Sequence, residues 1–120
     1  MAIRILLGAL LGAMFLPSVL AQADNPRLVG TVGRNDTFTI ALQDPSGKAV
    51  TSLEPGTYDI EVHDLSEEHN FHLVGPGVNR KTGVVFRGRA TWNVALQAGR
   101  YTYRSDKHKR LRGSLTVTSS

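Results

Sequence analysis

The segment GRYTYRSDKHKRLRGSLTV, residues 99–117, decides the fold. Successive side chains of an extended chain point to opposite faces, so Tyr101, Tyr103 and Ser105 share one side and Thr102 and Arg104 the other. Leu115 and Val117 alternate with Ser114 and Thr116 in the same way. Two half-buried strands are therefore expected, with the short basic loop around His108 between them.

Outward from this segment the same period of two returns. Phe38, Ile40 and Leu42 alternate with Thr and Ala, and Tyr58, Ile60 and Val62 alternate with Asp59, Glu61 and His63. Trp92, Val94 and Leu96 alternate with Asn93 and Ala95, while His69, Phe71 and Leu73 share a face that His72 does not. No window carries a sustained helical stripe. Turn signals punctuate the runs at Asp44-Pro45-Ser46-Gly47, Pro55-Gly56, Gly75-Pro76-Gly77 and Ala98-Gly99. This pattern implies an all-β, antiparallel Greek-key sandwich or barrel of about seven strands, with Phe71 and Trp92 in its core. An immunoglobulin-like sandwich is the competing architecture.

The N-terminus is expected to lie outside that fold. Arg4 precedes a nearly apolar stretch, Ile5 to Leu20, and Ala21-Gln22-Ala23 is a small-x-small cleavage site. Residues 1–23 therefore read as a signal peptide rather than a retained anchor. The stretch is short against the roughly 20 apolar residues that span a bilayer. Residues 24–120 then form one exported domain, periplasmic or secreted, with no transmembrane segment after cleavage. The chain has no cysteine, and Met1 and Met14 are its two methionines, so residues 24–120 contain no sulfur. The core must hold without a disulfide.

Four segments resemble the cupredoxins, the small copper proteins of the plastocyanin, azurin and amicyanin kind. They are LEPGTYDIEV at 53–62, EEHNFHLVGPGV at 67–78, ATWNVAL at 90–96, and residues 99–117 quoted above. The spacing Ser105-x-x-His108-x-x-Leu111 equals the short Cys-x-x-His-x-x-Met loop of amicyanin-like members. The resemblance implies a first copper-ligand position at His69, followed by Asn70, and a second at His108. It puts Ser105 at the Cys position and Leu111 at the axial Met position. Asn70 would tie the two ligand-bearing loops together.

A blue-copper site needs two imidazoles and a thiolate, with a weak axial thioether. Serine brings a neutral hydroxyl and leucine a hydrocarbon, so type 1 electron transfer is not expected here. Two readings of the histidines remain. His69 and His108 hold the degenerate pocket together by hydrogen bonds, with Ser105 as a neighbour, or they bind Cu(II) weakly in a non-blue geometry, because imidazole suits Cu(II). The cofactor expectation is accordingly none, or weakly bound copper. His63 and His72 read as single exposed or edge residues.

The formal charge is +4, or +3 for residues 24–120. That is too mild for a dedicated nucleic-acid binder. Arg104, Lys107, Lys109, Arg110 and Arg112 crowd one segment, and Arg80, Lys81, Arg87 and Arg89 another. The first group is either a solvated, charged sheet edge or a docking patch for an acidic protein or an anionic surface. Ser105-x-x-His108 superficially suggests a nucleophile and base, but no acid at triad spacing and no nucleophile elbow accompany it. The chain therefore reads as a non-enzymatic binding or accessory module. The alternative is a periplasmic Cu(II)-binding protein that handles copper or transfers electrons.

Overall fold

The computed structural model describes residues 24–119, so the expected signal peptide lies outside the described residues. Among the described residues nine strands run β1 Arg27–Val32, β2 Ile40–Gln43, β3 Ser52–Leu53, β4 Gly56–Asp64, β5 His72–Gly75, β6 Val78–Lys81, β7 Gly88–Leu96, β8 Gly99–Arg104 and β9 Arg112–Val117. They form two sheets, ordered β2-β1-β4-β7 and β3-β9-β8-β5-β6.

The alternation seen in the sequence builds the interior. On β4, Tyr58, Ile60, Val62 and Asp64 point inward, and Ile60 lies opposite Trp92 of β7. From the other sheet come Tyr101 and Tyr103 of β8, Leu115 and Val117 of β9, and Leu73 of β5. Phe71, fully buried, lies flat against Tyr103 with centroids 5.6 Å apart and meets Trp92 at 6.2 Å. Aromatic burial thus bridges the two sheets, as a chain without disulfides requires. Gly30 makes room for this: a Cβ there would come within 2.7 Å of the Phe71 ring.

The sandwich agrees with the sequence reading, with three differences of detail. Nine strands replace about seven, because β3 has two residues and β6, VNRK, is too polar to show alternation. Two pairs, β1 with β4 and β3 with β9, are parallel. The chain leaves the first sheet after β2, crosses to the second for β3 and returns beside β1, which puts β4 in the same direction as β1. Finally, Phe38 is not in a strand: β2 begins at Ile40, and Phe38 is 64% exposed.

Register places the loops. Val32 pairs with Ile40 and with Asp64, and Asp64 pairs with Gly88. In the other sheet Arg104 pairs with both His72 and Arg112, and His72 with Lys81. The connections 33–39, 65–71, 82–87 and 105–111 therefore meet at one end of the sandwich.

Candidate functional site

The site sits at that end, where three of the connections converge. His69 leads into β5 and is fully buried; Ser105 follows β8 and is also fully buried. His69 Nδ1 lies 3.3 Å from Ser105 Oγ. The same hydroxyl oxygen accepts a long hydrogen bond, 3.4 Å, from the His108 backbone N–H. The imidazoles of His69 and His108 stand 5.0 Å apart between centroids. Ser105 Oγ thus lies beside the His69 ring and the His108 backbone N–H.

The loop is shaped by its own backbone. Ser105 N–H donates to the Leu111 carbonyl at 3.0 Å, and Leu111 N–H donates to the His108 carbonyl at 2.8 Å. Leu111 packs against the core edge, and with Phe38, His108, Lys109 and Arg110 it lines a shallow depression. Phe38 closes the site from the opposite sheet, edge-on to His69 at 4.8 Å and to His108 at 4.7 Å. Its loop can turn this way because Gly33, Asn35 and Asp36 all take positive φ, a conformation that Gly, Asn and Asp accept most readily. The sequence GRND at 33–36 is the signal that could have marked this turn, and the sequence reading did not use it.

Burial holds the His69 pKa below the ordinary histidine value, and the positive charge that His108 can carry adds to this. His69 is therefore neutral at pH 7. Its Nε2 is buried without a hydrogen-bond partner among the described residues.

Behind the site lies a buried polar clasp that sequence reading found only in part. Asn70 Nδ2 donates to the Thr82 carbonyl and to Asp106 Oδ2, both at 3.0 Å, and Asn70 Oδ1 accepts from Asp106 N–H at 2.7 Å. The expected tie between the two loops is present. Thr82 Oγ accepts from Phe71 N–H and donates to Asp64 Oδ2 at 2.8 Å. Burial pushes the Asp64 carboxyl up to about 6, although Thr82 and Ser66 hydrogen-bond to it. Asp106 goes the other way: burial would raise it, but hydrogen bonds from His72 and Asn70 outweigh that and bring it to about 2.

His72 and His63 are not where they were expected. His72 is buried, in a strand flanked by β6 and β8. Its Nδ1 lies 2.7 Å from Asp106 Oδ1, and its Nε2 lies 2.6 Å from Asn79 Oδ1. It points away from the core, as its alternation with Phe71 and Leu73 required, but Asp106 and the Asn79 side chain of β6 enclose it. His63 lies on β4, an inner strand, half-buried beside Glu61 at 3.4 Å. Neither approaches the His69–His108 pair. The basic loop is partly neutralised: Lys107 pairs with Glu68 at 3.0 Å and Arg104 with Asp106 at 3.4 Å.

No protein-family model matches the chain, and no curated protein is significantly similar to it. Solved structures do match. The copper protein rusticyanin superposes with a TM-score of 0.56 at 16% identity, covering 81% of this chain and 80% of that one. Rusticyanin from Thiobacillus ferrooxidans gives 0.56 at 17% identity, covering 81% and 79%. A multicopper oxidase from Pediococcus acidilactici gives 0.51 at 15% identity, covering 94% of this chain and 32% of that one. At such identities the likeness is one of fold: this chain has the cupredoxin β-sandwich.

The side chains present do not fit a type 1 copper ion. His69 and His108 bring imidazoles and Ser105 a neutral hydroxyl, and in a sequence without cysteine no thiolate supplies the charge and covalency such a centre needs.

Proposed function

We propose that this chain is an exported cupredoxin-fold module without a type 1 centre, one that binds a partner or ligand rather than carrying electrons or catalysing a reaction. One observation supports the reading. Ser105 Oγ lies 3.3 Å from His69 Nδ1, so at the position where the cupredoxin resemblance expects a thiolate ligand the chain offers His69 an alcohol. An alcohol is not a soft ligand, and soft sulfur is what favours Cu(I) and lets a site cycle. The test is a Cu(II) titration followed by visible absorption. The unaltered protein stays without intense colour, whereas Ser105→Cys gives a strongly absorbing thiolate–Cu(II) complex even with Leu111 retained. A Ser105→Cys protein that folds but stays colourless with copper removes the basis for this reading of the loop.

A second reading, non-blue Cu(II) binding by His69 and His108 in copper handling, draws on one feature. The two imidazole centroids are 5.0 Å apart. The same titration read by calorimetry gives micromolar binding that His108→Ala abolishes. Absence of heat at that concentration ends this alternative.

A further inference from the structure

Among the described residues the exposed large hydrophobics are Phe38, Val84, Val85 and Phe86, exposed by 64, 38, 78 and 39%. Single exposed apolar residues are ordinary. These four are not scattered: they come from two loops at the end of the sandwich that bears His69 and His108. One loop follows β1 and the other precedes β7, and the sheet order β2-β1-β4-β7 puts them on opposite sides of that end.

The charges follow the same distribution. Segments 33–39, 65–71, 80–89 and 105–112 hold nine basic and four acidic residues. That excess of five is larger than the formal +4 of the entire chain, so the remainder of the molecule is net acidic. The apolar triplet at 84–86 is bracketed by Arg80 and Lys81 on one side and by Arg87 and Arg89 on the other. Arg80 lies over Trp92 at 5.4 Å and Arg89 reaches Glu61 at 3.6 Å, while Lys81 and Arg87 make no ion pair among the described residues. Around Phe38 the corresponding cations are Lys109 and Arg110, which line the same depression.

We propose that this end docks on an anionic lipid bilayer, with Val84, Val85, Phe86 and Phe38 entering the interface and the flanking cations meeting headgroup phosphates. Apolar apices backed by basic residues match the layering of such a membrane, acyl chains below and negative phosphate above. Neither half suffices alone: a few side chains insert only weakly, and surface cations by themselves are screened by salt, so stable attachment combines the two signals. An acidic protein would engage the cations but leaves the projecting triplet unexplained. Docking in this way turns the His69–His108 site toward the bilayer.

The test is co-sedimentation with vesicles, using the polypeptide that starts at Asp24. Residues 24–119 contain both sheets and the core between them, and omitting the apolar stretch 5–20 removes a segment that would enter vesicles by itself. Vesicles of phosphatidylcholine with phosphatidylglycerol are expected to retain the protein about tenfold better than phosphatidylcholine alone, and rising salt weakens the retention. Val85→Asp, at a side chain too exposed to affect folding, and Lys81→Glu with Arg87→Glu each reduce retention about tenfold. Three outcomes overturn the proposal: no retention, equal retention on both vesicles, or retention that Val85→Asp leaves intact. Binding to soluble polyglutamate without binding to vesicles overturns it too, and would identify an acidic polypeptide as the partner.

Discussion

At the scale of single residues, the site depends on the chemistry of one hydroxyl. Ser105 keeps the hydrogen-bonded loop and the approach of His69 but gives a metal no charge. A second residue, Asp64, makes a measurable claim. It is fully buried, and its carboxyl is raised from 3.8 to about 6 by that burial. A raised carboxyl pKa means that the folded state holds the proton more tightly than the unfolded state. At pH 7 the ionised group costs stability; as pH falls through 6 toward 4 that cost is relieved. His69, with its lowered pKa, works in the opposite direction below its unfolded value. The difference between wild type and Asp64→Asn isolates the Asp64 share, since His69 is common to both. Urea unfolding at pH 7 and pH 4 should show wild type gaining about 2 kcal/mol relative to the variant. A difference that does not change with pH would mean that Asp64 titrates normally.

At the scale of elements, what was legible and what was not has a physical pattern. Strands with one buried face wrote themselves into the sequence at a period of two, as in Tyr58-Ile60-Val62 and Trp92-Val94-Leu96. His69, Ser105 and His108 were singled out by the cupredoxin resemblance rather than by any local pattern, and the structure sets them side by side. Phe38 was misplaced because three alternating apolar residues look like a strand whether or not the first is paired. His72 was misjudged because sequence does not reveal that β6, a polar strand, lies outside it. The clasp was half visible: Asn70 could be assigned, but Asp106, Thr82 and Asp64 are brought to it by three separate elements, and no local pattern announces that. Asn70→Ala removes three hydrogen bonds at once and leaves Asp106 N–H and the Thr82 carbonyl without a protein partner. The expected cost is about 3 kcal/mol, since each stranded buried group costs about 1–3 kcal/mol less any water that enters. Faster amide exchange in 105–111 and at Thr82 should accompany it, while β4 and β7 remain protected. A variant with unchanged stability and exchange would show that the loops hold without the clasp.

At the scale of the whole molecule, the two sheets are joined by packing alone. No disulfide links them, and the aromatic line from Trp92 through Phe71 to Tyr103 crosses the interface between them. If that line couples the sheets, neither can unfold first, because each presents its apolar face only to the other. Trp92 is the single tryptophan and sits on β7, so its fluorescence reports one sheet directly, while far-UV circular dichroism reports both. The two urea transitions should coincide, with a slope of about 1 kcal/mol per molar as expected for a domain of this size. Phe71→Ala should cost about 3–5 kcal/mol, because its ring fills space that Gly30 and Tyr103 cannot close over. Against a total stability of about 5–15 kcal/mol, that loss brings the transition close to zero denaturant. Fluorescence leaving ahead of circular dichroism in the unaltered protein would instead mean that the sheets melt separately, and that the aromatic bridge is contact without coupling.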